Sequence, residues 1–220
     1  MRKTKYFIAN WKANKNLDEA LSWFDDFLIN YRPEKEKIII ICPPFPLIFP
    51  LKQKIKKYNN IYLGTQDISA FEEGAYTGEV TAKNLFGLIN FALVGHSERR
   101  RYFLENNDSV NKKIILAKKY QIEPILCISN QKELEPASKT RCNFVAYEPV
   151  GAIGTGKNEQ LTQVIKFKKA LNLDKKTRFF YGGSINEKNS FLYWKDNAID
   201  GVLVGSASLD PKKFLAIIYC

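Results

Sequence analysis

The chain has 220 residues, 45% of them hydrophobic, and a formal charge of +11. That is enough apolar material for one core, and no Gly/Ser- or Pro-rich linker divides it, so one domain over residues 1–220 is expected. A single histidine excludes a multi-histidine metal site, the basic charge comes without zinc-finger spacing or an RNP-like aromatic motif, and no apolar run reaches the length of a membrane span, so neither a nucleic-acid nor a membrane partner is expected.

In chain order, residues 6–9 form the first short run of aromatic and β-branched residues, ending Ala9-Asn10-Trp11-Lys12. In extended chain Asn10 and Lys12 share a face and Trp11 takes the other. A lysine there can meet a phosphate or an enolate, or can simply lie on the surface. Residues 17–31 read as a helix with Leu17, Ala20, Leu21, Phe24 and Leu28 on its apolar stripe. Further strand-like runs follow at 38–42, 61–64, 91–94, 124–128, 144–147, 178–181 and 201–204, with further helical patterns at 109–120 and 160–171. The runs are nearly continuous in apolar residues, as parallel strands covered on both faces require. Eight strand–helix alternations suggest a closed parallel (β/α)8 barrel, with an open doubly wound sheet as the alternative. The connection 129–143 has room for one small helix at most, so the fifth unit is short. Lysines at 52, 54, 56, 57, 112, 113, 118, 119, 166, 168 and 169 sit at helical spacing among apolar residues and read as solvated outer faces. Cys42, Cys127, Cys142 and Cys220 form no C-x-x-C pair, and the N-terminal stretch is too charged for a secretory leader; reduced thiols in a cytoplasmic protein are expected.

In parallel α/β folds chemistry gathers where strands end. The fourth run ends Val94-Gly95-His96-Ser97-Glu98-Arg99-Arg100 and opens a helix, whose positive end favours a neutral imidazole. A neutral ring can donate to a carbonyl and then shuttle a proton, although a lone histidine can equally be structural. The sixth run ends Tyr147-Glu148-Pro149-Val150, where a partly desolvated carboxylate is a stronger base than one in water. The glycine-rich apolar stretch that follows, to Lys157, suits a water-excluding lid. Tyr181-Gly182-Gly183-Ser184 and Val204-Gly205-Ser206-Ala207-Ser208 are turns whose small residues let backbone N–H groups approach an anion.

These segments, together with Ala152-Ile153-Gly154-Thr155-Gly156 and the stretch from Gln66-Asp67-Ile68-Ser69 to Gly74-Ala75-Tyr76-Thr77-Gly78-Glu79, resemble the triosephosphate isomerase family, in that family's order and over nearly the whole chain. The resemblance implies a single TIM barrel that interconverts dihydroxyacetone phosphate and glyceraldehyde 3-phosphate through an enediolate, in glycolysis and gluconeogenesis, as a homodimer and with no metal or organic cofactor. It implies Glu148 as general base, His96 as electrophile and Lys12 as the positive charge for phosphate and enediolate, with Asn10 helping to hold the site. Backbone groups of Gly154, Ser184, Gly205 and Ser206 would hold the phosphate. Glu98 would pair with Lys12, Cys127 counts among the supporting residues, and Thr77 would reach the other subunit's site. Gly151 stands where the family usually has Trp, Ser206 replaces a glycine, and Cys127-Ile128-Ser129-Asn130 replaces Cys-Ile-Gly-Glu, so a polar contact near the first-strand end is expected to be lost. A phosphate-sugar lyase or synthase on the same barrel, and a silent homologue that binds polyanions, are the rival readings; the contexts of Asn10, Lys12, His96 and Glu148 fit neither.

Overall fold

The computed structural model describes residues 3–149, 151 and 158–220. Eight parallel strands, β1 (Lys5–Asn10), β2 (Lys37–Cys42), β3 (Ile61–Thr65), β4 (Phe91–Val94), β5 (Glu123–Ile128), β6 (Phe144–Tyr147), β7 (Arg178–Tyr181) and β8 (Gly201–Val204), pair in sequence order and close β8 onto β1. The open doubly wound alternative is thereby set aside. Helices α1 (Leu17–Asn30), α2 (Phe45–Lys54), α3 (Ala82–Leu85), α4 (Ser97–Tyr102), α5 (Asn107–Lys119), α6 (Glu135–Thr140), α7 (Leu161–Ala170), α8 (Ser190–Trp194) and α9 (Pro211–Tyr219) connect and cover them. The fifth unit is short as expected: a 3-10 turn, Gln131–Leu134, runs directly into the six-residue α6. None of the described helices is long and apolar enough to cross a membrane.

The core has two shells because each strand alternates its side chains. Ile8, Ile40, Leu93, Ile125, Phe180 and Leu203 fill the barrel interior, whereas Phe7, Ile39, Ala92, Val145 and Phe179 face the helices. Both faces are therefore dry, which is why the strands read as unbroken apolar runs.

Two expectations about the helices are corrected. On α1 the buried residues are Ala20, Trp23, Phe24 and Phe27, and Leu17 is 46% exposed. The helix is rotated from the expected stripe so that Trp23 stacks on Phe27 and meets Trp11 edge-on, because burying large aromatic rings outweighs burying Leu17. The second correction concerns Lys113, which lies on no solvated face. It is buried and donates to both carboxylate oxygens of Asp67, at 2.7 and 2.9 Å, and to Glu105. Arg99 Nε lies 2.8 Å from the same Asp67. Burial pushes the Asp67 carboxyl up to about 6 even against these two cations. Replacing Lys113 by methionine takes the nearest cation from two buried carboxylates and leaves Arg99 alone to offset both; it is expected to cost about 3–5 kcal/mol in urea unfolding. A loss below about 1 kcal/mol, the scale of an exposed pair, would contradict the buried-cluster reading.

Candidate active site

The alternation that fills the barrel also builds its mouth. Asn10 follows Ile8 with the same parity, Glu148 follows Ala146, Gly182 follows Phe180 and Gly205 follows Leu203, so all four continue the inward face past the strand ends. β4 is the exception. There the inward position falls on Gly95, and its φ of +69° turns the chain so that the next residue, His96, is brought against Glu148. A Cβ on Gly95 would sit 2.8 Å from the Arg100 guanidinium and 3.1 Å from Val110, so backbone and space both call for glycine.

His96 and Glu148 are both buried, and His96 Nε2 lies 3.3 Å from Glu148 Oε2. The ring caps α4: its Nδ1 accepts from the Glu98 N–H at 3.2 Å, which assigns the proton to Nε2. Burial disfavours a charge on the ring, while the Glu148 carboxylate, with Glu98 behind it, draws the histidine's pKa above its ordinary value. The proton that Glu148 attracts is the one on Nε2, which the neutral ring already carries. A second proton on Nδ1 would face the Glu98 N–H donor, so the geometry favours neutral imidazole. Gly182 completes the pair's surroundings, since a Cβ there would meet Glu148 Cγ at 2.7 Å.

Lys12 adopts a φ of +52°, a left-handed conformation that costs a non-glycine residue on the order of 1 kcal/mol or more. Two polar contacts hold it. Asn10 Oδ1 accepts from the Lys12 N–H at 3.1 Å, and Gln66 Nε2 donates to the Lys12 carbonyl at 2.8 Å and to the Cys42 carbonyl at 3.0 Å. Lys12 Nζ then reaches Glu98 Oε1 at 2.5 Å and passes close to Gly205, where a Cβ would lie 3.7 Å from Lys12 Cε. Both partners of the Lys12–Glu98 pair are about one-third exposed, so the pair places the ammonium and adds little stability. Ser184 also has a left-handed φ, of +48°. Asn10, Lys12, Glu148, Ser184, Gly205 and Ser206 line one cavity of about 530 Å³. His96 itself does not line this cavity and reaches it through its contact with Glu148; a larger groove, about 760 Å³, opens beside Lys118, Arg141 and Leu171, away from both residues.

Of the remaining expected residues, Cys127 is buried inside the barrel, where burial and then the Glu148 charge hold its thiol well above the ordinary range. Thr77 is exposed on the loop after β3 and does not line the cavity. Gly154 and the rest of the lid run, Val150 and residues 152–157, lie outside the described residues. Gly151 is exposed, with nothing within 4 Å of a Cβ placed there. Three residues contribute in ways the sequence did not assign: Gln66, in a quoted segment, whose amide clamps Lys12; Gly182, in the strand-seven turn, which makes room for Glu148; and Glu133, outside every motif, which lies 3.8 Å from Arg100.

The family model described as triosephosphate isomerase matches residues 5–220. Curated relatives of that name include one from Dictyoglomus turgidum, 36% identical over 245 aligned positions that cover 97% of this chain and 98% of the relative. Another, from Aquifex aeolicus, is 35% identical with 98% of each chain covered, and a third, from Mesomycoplasma hyopneumoniae, is 35% identical with 97% and 98% covered. These alignments are longer than the chain itself, so this chain lacks segments that its relatives carry. With a family match over nearly its full length, and relatives aligned end to end, the chain belongs to the triosephosphate isomerase family.

Proposed function

We propose that this chain is an aldose–ketose isomerase that interconverts dihydroxyacetone phosphate and D-glyceraldehyde 3-phosphate, with Glu148, His96, Lys12 and Asn10 as its working residues. The observation that carries the assignment is the His96–Glu148 pair at 3.3 Å, buried beside a lysine that stands over the β8 turn. Glu148 takes a proton from the carbon next to the carbonyl; the C–H electron pair becomes the new C=C bond, and the C=O π pair moves onto the carbonyl oxygen. His96 Nε2–H donates to that oxygen and shuttles a proton between the two oxygens, and Glu148 returns its proton to the neighbouring carbon. Lys12 supplies positive charge to the phosphate and to the enediolate, held in place before the reaction begins by Asn10 and Gln66. The turns at Ser184 and at Gly205–Ser206 offer backbone N–H groups to the phosphate, and the family resemblance assigns the same role to Gly154. In this reading the proton transfers are carried by side chains alone, and the reaction uses no cofactor.

The chain works as one domain and as a cytoplasmic homodimer in this reading. Support for the dimer comes from the loop after β3, where Phe71 and Tyr76 stack at 3.8 Å while each remains more than 40% exposed, with Phe86, Phe103 and Leu104 exposed as well. Thr77 lies on the same loop and would enter the partner's site. Support for a reducing compartment comes from the four free cysteines, three of them buried. A coupled isomerase assay on the purified chain, run with light scattering on the same sample, tests both statements. Turnover of either triose phosphate by a dimer is expected. No turnover would exclude the isomerase, and an active monomer at micromolar concentration would exclude the dimer.

A further inference from the structure

Glu133 belongs to none of the segments that carry the family resemblance, yet it is linked through one intermediary on each side to the strand ends that hold the reacting groups. It sits on the 3-10 turn of the short fifth unit. Its Oε2 accepts from the Ser129 N–H at 2.6 Å, and its Oε1 accepts from Asn130 Nδ2 at 2.9 Å. The Ser129 N–H and the Ile128 carbonyl belong to one peptide unit, and that carbonyl accepts from the Glu148 N–H at 2.8 Å. A single planar amide thus joins the Glu133 carboxylate to the Glu148 backbone. On its other side Glu133 Oε2 lies 3.8 Å from Arg100 Nε, and Arg100 Nε donates at 2.8 Å to the carbonyl of Gly95, the residue before His96. Asn107 closes the ring, accepting from Arg100 Nη1 at 2.9 Å and donating to the Lys132 carbonyl at 3.0 Å. Arg100 and Glu133 side chains are only 13% and 19% exposed, so their attraction is weakly screened.

We propose that Glu133 is a positioning residue: it ties the β5–β6 contact at Glu148 and the β4 end at His96 to one anchor, and so fixes the distance between base and electrophile. The inference rests on the isomerase reading of the same site. A purely local role for Glu133 is already filled, because Asn130 Oδ1 caps the turn by accepting from the Lys132 and Glu133 N–H groups. Proton transfer is steep in distance, and a misplacement of about 1 Å costs on the order of 10²-fold.

The test compares Glu133→Ala and Glu133→Gln with wild type, by steady-state kinetics and by the ¹⁵N resonances of the single imidazole without substrate. Glu133→Ala is expected to lower kcat about tenfold or more with KM within about twofold, and to shift the His96 resonances. Glu133→Gln keeps an acceptor for the Ser129 N–H but loses the charge facing Arg100, and should fall between. A kcat within about twofold of wild type in Glu133→Ala, or unmoved His96 resonances, overturns the proposal. If the alanine variant does not fold, the glutamine variant decides by the same two readouts. Should wild type itself fail to isomerise triose phosphates, the functional reading fails, while the His96 resonances still decide whether Glu133 braces the site.

Discussion

Glu148→Gln is expected to lower kcat by at least on the order of 10²–10⁴-fold, the contribution of a positioned general base, while the protein stays folded. Glutamine matches glutamate in volume, and the backbone N–H that Glu148 donates to Ile128 is untouched, so the β5–β6 contact survives. The amide, however, cannot accept a carbon-bound proton at any accessible pH. It also has to turn its oxygen toward His96 Nε2, because its NH2 would set donor against donor at 3.3 Å. Binding of a phosphate-bearing substrate analogue should change far less, since Lys12 and the Ser184 and Gly205–Ser206 turns are unaltered. Steady-state kinetics, a thermal melt and an analogue titration on the same preparation check all three expectations. Turnover within a few-fold of wild type would remove Glu148 from the mechanism. Glu148→Asp sharpens the comparison, because it keeps the base and draws it back by one methylene, and its loss should lie between the two.

The strand runs were legible because burial on both faces leaves an apolar stretch that has no other use, and the observed strands differ from those runs by at most one residue at either end. The inward parity that carries Ile8 to Asn10 and Ala146 to Glu148 is also written in the order of residues, so the mouth of the barrel could be read without coordinates. What could not be read is contact between side chains and segments far apart in sequence. Gln66 reaches back 54 positions to the Lys12 carbonyl, and Lys113 reaches back 46 to Asp67, and no local pattern separates that lysine from its solvated neighbours. The face of helix α1 depends on a distant partner in the same way. Of the expected stripe, Ala20 and Phe24 are buried and Leu21 and Leu28 pack on the core, whereas Leu17 is exposed and Trp23 and Phe27 join the face, because the partner that selects it is Trp11, on another element. Glu133 lies in no motif, on a connecting segment. Only the closeness of β4, β5 and β6 places it between Arg100 and the Ser129 amide.

His96→Gln separates hydrogen bonding from proton transfer at the second reacting group, and a fall in kcat on the order of 10²–10⁴-fold is expected. The glutamine side chain can take over one half of what the imidazole does: its oxygen can accept from the Glu98 N–H, or its NH2 can donate toward a substrate oxygen. It cannot give up a proton and regain one, so a large loss of kcat with little change in KM assigns His96 to the shuttle as well as to polarisation of the carbonyl. If analogue binding collapsed while single-turnover chemistry stayed normal, His96 would be a binding group only. The starting state matters as much as the variant. The cap on α4, with Nδ1 accepting from Glu98 at 3.2 Å, requires one bare and one protonated ring nitrogen near neutral pH, and the chain's single histidine makes that a two-signal ¹⁵N measurement. Two protonated nitrogens would mean that the pull of Glu148 has prevailed over burial and over the Glu98 N–H. The pair would then rest as imidazolium and carboxylate, an ion pair at 3.3 Å facing the position from which the substrate proton must come. A neutral ring leaves the carboxylate free to act as a base, and its Nε2 proton is then the one that the enediolate oxygen can draw on.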